Sequence, residues 1–233
     1  MEITNNLLKR NWFEKATLED IQTEINNGAD VNATNNEGWT PLMFAIQNRC
    51  NLEIIKMLLN AGAKVNIKDN LHGMTPLMLA ALCDETDIIP LLIEHGAEVN
   101  TKDSDEVTAL MYAVPYNPKA IKILVDYGAD VKVIDDIGRT LMHKAADQAK
   151  QPEIIKILVE LGVDINTIGK LDMTPLMSAA MCNENLEIIK ALIKNGADVK
   201  AKDSSGHTVS YFAKNNNNPE VRKFIEQLEK NHK

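Results

Sequence analysis

The chain has 233 residues, of which 45% are hydrophobic and 25% charged, with a net charge of −8. An acidic chain in which no segment is dominated by lysine and arginine lacks the positive surface that holds phosphates, which argues against nucleic acid as a partner. No apolar run reaches about 18 residues and Met1–Arg10 is mostly polar, so we expect a soluble chain with neither a membrane span nor a general secretion signal.

Two markers recur in phase along the chain and predict a repeat array. Glycines stand at Gly28, Gly62, Gly96, Gly128, Gly162 and Gly196, at intervals of 34, 34, 32, 34 and 34 residues. Threonines that open short apolar stretches stand at Thr40, Thr75, Thr108, Thr140, Thr174 and Thr208. We predict one domain of about seven repeats, with an N-terminal capping repeat at 1–34, internal repeats at 35–69, 70–103, 104–135, 136–169 and 170–203, and a C-terminal capping repeat at 204–233.

The predicted elements follow from these markers. In the first cap, residues 18–32 match a second helix and the segment after it, but residues 7–16 lack the threonine motif. In repeat 35–69, Thr40 is placed to cap a first helix that starts at Pro41. Apolar residues on one face of 54–59 predict a second helix, which ends at Gly62 as a left-handed cap. The segment after Gly62 is predicted to be an extended, hairpin-like finger.

The middle repeats depart from this pattern. Pro90 would break a helix interior, so we predict that its helix starts late, with Asp87 as the cap. Repeat 104–135 has Ala109 for proline and Glu106 for the turn glycine, and we predict a different local geometry there. Asn117–Pro118 predicts the start of its second helix. The last repeat restarts at Asn218 and ends in a polar helix, as a cap requires.

The threonine motifs carry a resemblance to a known family. They read TPLMFA at 40–45, TPLMLA at 75–80, TALMYA at 108–113, TLMHKA at 140–145, TPLMSA at 174–179 and TVSYFA at 208–213. With the second-helix frame and terminal glycine in register, the chain resembles the ankyrin repeat family, whose repeats open with T-P-L-H-x-A. The resemblance implies an all-α repeat solenoid of helix-turn-helix units with β-hairpin fingers. Methionine takes the motif histidine's place at 43, 78, 111 and 177, which predicts apolar packing.

No catalytic arrangement is visible in the sequence. The histidines are His72, His95, His143, His207 and His232, and none stands with a nucleophile and a base in a known pattern. Cysteines at 50, 83 and 182 form an odd set without metal-type spacing, which favours a reducing compartment and hence the cytoplasm. We therefore expect a non-enzyme that needs no cofactor and no metal.

Candidate binding residues fall in two rows. Large side chains precede the opening threonines at Trp39, Met74, Val107, Arg139 and Met173. A second row, at the ends of the first helices, contains Gln47, Leu82, Gln148 and Met181. The resemblance implies that fingers and first helices line a concave surface that holds partners. The sequence leaves open whether these side chains are exposed there or packed between repeats.

The function that we predict is binding of a protein or peptide of unknown identity on this surface, by a monomer that masks, inhibits or scaffolds its partner. The alternative is a small molecule or metabolite held between fingers. A deep polar cavity between fingers would favour that alternative.

Overall fold

Short α-helices joined by turns build the structure, a computed structural model that describes residues 6–169 and 172–231, without the Asn231 side chain. His232, one of the histidines considered above, lies outside the described residues. The described chain divides into two compact units. The first runs to Ala113 and includes Lys119–Ala129, and the second contains Val114–Pro118 and the chain from Asp130 onward. The all-helical prediction is confirmed, whereas the count of seven repeats and the repeat boundaries stay predictions.

The first unit contains paired helices after a short 3-10 helix at Asn6–Leu8. They are α1 Arg10–Phe13, α2 Leu18–Asn26, α3 Pro41–Gln47, α4 Leu52–Asn60, α5 Pro76–Leu82, α6 Ile88–Glu94, α7 Ala109–Ala113 and, apart from its first residue, α8 Pro118–Asp126. Successive first helices of the repeats, α3, α5 and α7, pack side by side. Their motif residues form the core, where Leu42, Leu77 and Leu110 are at most 1% exposed.

The second unit repeats this arrangement. Its helices are α9 Leu141–Gln148, α10 Glu153–Glu160, α11 Pro175–Cys182, α12 Leu186–Lys194, α13 Val209–Ala213 and α14 Pro219–Asn231. Helix α11 packs between α9 and α13 as the middle one of three first helices. The second helices α10 and α12 pack against each other behind them, burying Ile154, Ile155, Ile188 and Ile189 completely.

The predicted helix starts and stops are confirmed. The Thr40, Thr75 and Thr174 hydroxyls accept hydrogen bonds from the backbone N–H three residues later at 3.3, 3.4 and 3.3 Å, with proline at the first helical position. All six recurring glycines have φ between 79° and 102°, the left-handed conformation that a side chain disfavours. These caps satisfy backbone groups that a short helix would otherwise leave unpaired.

The two predicted irregularities are also present. Helix α6 begins at Ile88, after Asp87, and this places Pro90 in the first turn, although the Asp87 side chain makes no capping hydrogen bond. Helix α7 has 5 residues where α3 and α5 have 7. Glu106 precedes it with φ of 61°, a left-handed conformation that Gly38 adopts in the corresponding turn with φ of 79°. A non-glycine residue at a glycine position therefore accompanies the shortened helix.

The fingers are not regular β-hairpins. The described residues contain no β-strand and only two isolated antiparallel bridges, Lys102 to Thr108 and Ile134 to Thr140. Backbone hydrogen bonds still join neighbouring fingers, as from the Asn70 N–H to the Glu37 carbonyl at 2.8 Å. Asparagine side chains add to them. Asn32 Nδ2 donates to the Gly62 carbonyl at 2.9 Å, and its Oδ1 accepts from the Lys64 N–H at 2.7 Å.

This asparagine ladder continues in both units. Asn66 Nδ2 and Asn100 Nδ2 donate to Gly96 O and Gly128 O in the first unit, each at 2.9 Å, and Asn166 Nδ2 donates to Gly196 O at 3.1 Å in the second. Each rung ties one finger to the helix end of the next repeat. Lys132 holds the corresponding position between Asn100 and Asn166, so the ladder has a gap there.

The methionines of the opening motif fill the core as predicted. Met43, Met78, Met111 and Met177 are at most 1% exposed. In two repeats the methionine sulfur also makes a local polar contact at the start of its own helix. The backbone N–H groups of Thr75 and Thr174 donate to the sulfurs of Met78 and Met177 at 3.4 and 3.5 Å. Thioether sulfur is a weak acceptor, and here it takes the place of a histidine nitrogen.

Candidate functional site

The finger row is exposed only in part. Met74, Val107 and Met173 are 7%, 5% and 8% exposed, so of the two arrangements that the sequence left open, these three residues adopt the packed one. Their apolar side chains pack into the protein, where burial removes apolar surface from water. Trp39 and Arg139 keep partial exposure. The row therefore offers separate exposed side chains and not a continuous apolar strip.

Trp39 belongs to an aromatic cluster in the first unit. Its ring lies 5.4 Å from the ring of Phe44, which in turn lies 6.3 Å from Phe13, and Trp12 completes the cluster at 5.3 Å from Phe13. The backbone N–H of Trp39 donates to Asn35 Oδ1 at 2.9 Å, and this bond fixes the turn that carries Trp39. Half-buried aromatic rings held in this way are typical contact residues, and they also stabilise the first cap.

The helix-end row is more exposed. Leu82 and Met181 are 38% and 39% exposed, Gln148 is exposed and Gln47 is half-buried. Leu82 and Met181 stand seven residues after Thr75 and Thr174. Large apolar side chains with this exposure have no packing role that would require them there. They are consistent with contact residues.

In the second unit, three of the predicted residues line one cavity of about 230 Å³. These are Arg139, Met173 and Met181, which come from two successive fingers and from helix α11. The rest of the lining consists of Ile137, Gly138, His143, Asp147, Gly169, Ser178 and Cys182. Ile137 is 50% exposed, so the cavity lies beside two exposed apolar side chains, Ile137 and Met181.

Small residues at two repeat positions accompany this cavity. Gly169 stands where other repeats have Asp69, Asp103, Asp135 and Asp203, and a Cβ added to it would lie 3.2 Å from the Gly138 carbonyl oxygen and His143 Nε2. Ser178 stands where other repeats have Phe44, Leu79, Tyr112 and Phe212. Both residues line the cavity. A hollow lies where longer side chains would otherwise reach.

The cationic wall of the cavity is already neutralised. Arg139 Nε donates to Asp135 Oδ2 at 2.7 Å, and the Arg139 backbone N–H donates to Asp135 Oδ1 at 2.7 Å. The Asp135 side chain is completely buried. A buried carboxylate that accepts both bonds fixes the guanidinium in place and cancels its charge locally.

His143 has a structural role, as the sequence predicted. Its Nε2 lies 3.0 Å from the Met173 carbonyl oxygen, and its Nδ1 lies 3.0 Å from Thr140 Oγ1 and 3.4 Å from the Thr140 N–H nitrogen. Because a carbonyl only accepts, Nε2 carries the proton and Nδ1 accepts from the Thr140 N–H. The ring thus joins helix α9 to the next finger, and both its nitrogens are occupied.

Asp147 is the residue that the sequence analysis missed. The Ser178 hydroxyl, on helix α11, donates to Asp147 Oδ1, on helix α9. Burial raises the pKa of the Asp147 carboxyl, with the Ser178 hydrogen bond and the nearby Arg139, His143 and Lys144 acting in the opposite direction. Asp147 follows Thr140 by seven residues, as Met181 follows Thr174, whereas the predicted row contained its neighbour Gln148. Strict counting from the threonine would have found it.

A family model for ankyrin repeats matches residues 14–103, 96–169 and 142–233. The chain belongs to the ankyrin repeat family. A comparison with curated proteins gave no match. Ankyrin repeats are generally protein–protein interaction modules.

Cys182 is the exposed thiol of this ankyrin cavity. Burial raises its pKa above the ordinary value, and the charge of Asp147 raises it further. A thiol with a raised pKa is protonated at neutral pH and is a poor nucleophile. Cys50 and Cys83 are half-buried free thiols.

Other depressions lie between neighbouring ankyrin repeats. The first unit has an open groove of about 520 Å³ beside Leu18, Ile25 and Met57, and another of about 600 Å³ beside the finger of Lys64. The second unit has a cavity of about 260 Å³ between the fingers of Lys132 and Val163, at the gap in the asparagine ladder. None of the helices in the two described ranges has the length and apolar character needed to cross a membrane.

Proposed function

We propose that this ankyrin repeat chain is a non-catalytic interaction module that binds a segment of a protein partner over the cavity of the second unit. The observation that carries the proposal is the pairing of exposed apolar side chains with partly buried charged side chains in one concavity. Ile137 and Met181 are 50% and 39% exposed, and the cavity between them holds Arg139 and Asp147. Apolar anchors around a few fixed polar groups are typical of recognition pockets.

The remaining predicted residues take different parts in this proposal. Gln148 lies exposed at the end of helix α9, which also carries Asp147, and is proposed as a contact at the edge of the site. Trp39, Gln47 and Leu82 form the corresponding proposed contacts of the first unit. The buried Met74, Val107 and Met173 support the fingers from inside. Binding of this kind acts by masking, inhibiting or scaffolding the partner.

A peptide selection tests the proposal. The full chain is immobilised and a displayed library of random 12-residue peptides is selected on it, after which single peptides are measured by fluorescence anisotropy. Ile137→Ser and Met181→Ser each remove one exposed apolar side chain, and we expect at least a tenfold loss of affinity, since a hot-spot truncation costs roughly 1–2 kcal/mol or more.

Ile134→Ser is the matched control. Ile134 is the same residue type with 49% exposure in the same unit, but it lines the cavity between the Lys132 and Val163 fingers and not the proposed site. Its affinity for the peptides should stay within twofold of the parent. Circular dichroism melting of all three variants establishes that they fold equally. Loss of binding in Ile134→Ser alone would place recognition between the fingers, where the metabolite alternative also lies, and a library without binders would reject the proposal.

A further inference from the structure

The cavity of the second unit contains one acidic group that no ion pair neutralises in the described part of the chain. The Asp147 carboxylate accepts the Ser178 hydroxyl, and among the described residues no lysine or arginine nitrogen lies within ion-pair distance of it. By contrast, the Arg139 guanidinium in the same cavity is paired with Asp135 at 2.7 Å. Asp147 is therefore the charged group of the cavity that has no ion pair within the described ranges.

The other polar groups of the cavity are already engaged. His143 uses Nε2 on the Met173 carbonyl and Nδ1 on Thr140. Lys144, on the same helix as Asp147, is 9% exposed, and its charge lowers the pKa of Asp147 against the effect of burial. The Cys182 thiol is held in its neutral form by burial and by Asp147 itself. Asp147 is left as the group that gains most from a new partner.

The walls of the cavity suit a long, unbranched chain. Ile137, Met173 and Met181 supply apolar surface, and methionine adapts its shape to an inserted side chain. The volume of about 230 Å³ lies below the roughly 300 Å³ at which pockets for drug-sized ligands begin. A single side chain is therefore a better match than a metabolite.

We infer that the cavity receives a lysine or arginine side chain of the bound partner, with its aliphatic stem against Ile137, Met173 and Met181 and its cationic end at the Asp147 carboxylate. This inference rests on the proposed function and specifies the partner's chemistry. An apolar occupant would cover a carboxylate without compensating its charge, which is costly, whereas a cation supplies both the charge and hydrogen bonds. The net charge of −8 on the chain favours a basic partner as well.

The test uses two small probes that differ in the terminal charge. Nα-acetyl-lysine N-methylamide and its norleucine counterpart are titrated against the full chain labelled with ¹³C in its methionine methyl groups. The Met173 and Met181 methyl signals report occupation of the cavity, and the buried Met43 of the first unit serves as a reference. We expect the lysine probe to shift both reporter signals and to bind at least fivefold more tightly than norleucine.

Asp147→Asn should abolish this preference, because asparagine keeps the acceptor for Ser178 and loses the charge. Asp164→Asn is the control, as Asp164 is an exposed acid of the same unit that lines the other cavity, and it should keep the preference. Equal or tighter binding of norleucine, a preference that survives in Asp147→Asn, or no shift with either probe overturns the inference. Peptides that depend on Ile137 and Met181 but contain no basic residue would overturn it too, while leaving the proposed function standing.

Discussion

The Ser178 hydroxyl donates to the Asp147 carboxylate across two neighbouring first helices of the second unit. This hydrogen bond joins a position that is aromatic or aliphatic in several other repeats to one that holds Gln47, Leu82 and Met181 elsewhere. A polar pair stands at this site, whereas the equivalent positions one repeat later hold Met181 and Phe212, which are apolar. Such a pair is retained at a cost in folding free energy, and this cost is measurable.

Asp147→Asn is expected to stabilise the fold at neutral pH. Burial raises the pKa of Asp147, so the native state holds this proton more tightly than the unfolded state, and stability falls as pH rises through the window between the two pKa values. The variant has no carboxyl group at this position and does not lose this stability as pH rises. It should therefore be more stable than the parent at pH 7 and should show no such advantage below the ordinary pKa of aspartate. Urea unfolding at pH 3 and pH 7 measures both differences, and equal stability of the two proteins at pH 7 would contradict this account.

Lys132→Asn is expected to stabilise the second unit by supplying the missing rung of the asparagine ladder. An asparagine there is placed to donate to the Gly162 carbonyl, as Asn166 donates to Gly196. One such hydrogen bond contributes about 0.5–1.5 kcal/mol. Asn166→Ala removes an existing rung and should lower the free energy of unfolding by a similar amount. Chemical denaturation of both variants gives the comparison, and a destabilised Lys132→Asn protein would show that the ladder is not what joins these fingers.

His143→Met places the residue that four other repeats have at this position into the only repeat with a motif histidine. It removes the hydrogen bond from His143 Nε2 to the Met173 carbonyl, which is buried. Leaving a buried carbonyl without its donor costs about 1–3 kcal/mol. We expect a lower thermal midpoint and larger amide shifts around Met173 than around Thr75. A variant as stable as the parent would mean that the sulfur substitutes fully for the imidazole.

Glu106→Gly and Gly206→Ala are expected to act in opposite directions. Glu106 has φ of 61° and Gly206 has φ of 81°, and a Cβ at Gly206 would meet no atom within 4 Å, so the backbone conformation alone is tested. A left-handed conformation costs a residue with a Cβ about 1–2 kcal/mol. The first variant should gain and the second lose about 1 kcal/mol in urea unfolding. Changes in unfolding free energy of the same sign in both variants would contradict the view that the left-handed backbone disfavours a side chain at these positions.

Much of the fold could be predicted because helix ends are marked by residues that lie close to them in the sequence. Thr40 with Pro41 and the left-handed Gly62 act locally, and a local signal is readable in a sequence. The delayed start of helix α6 followed from Pro90 for the same reason. The fingers were predicted less well. Their contacts run between residues about thirty apart, such as Asn32 and Gly62. The asparagines recur with the repeat period, but a sequence does not show which distant group each side chain bonds.

The candidate site was predicted only in part. Exposed Met181 and half-exposed Arg139 were found from their row positions, but the burial of Met74 and Val107 depends on packing between repeats, which a sequence does not reveal. The cavity was missed because it arises from the small size of the residues at 169 and 178, Gly169 and Ser178. A search for prominent side chains passes over small ones.

The cavity beside Gly169 and Ser178 also bears on how this array can change its partners. Neither residue has a left-handed backbone or caps a helix, so both positions are free of the signals that define the repeat. A larger side chain at Ser178 would alter the depth of the hollow while the threonine and glycine framework stays intact. At Gly169 there is less freedom, because a Cβ there would lie 3.2 Å from the Gly138 carbonyl oxygen. The shape of the hollow is thus open to change by single substitutions outside the residues that mark the repeat.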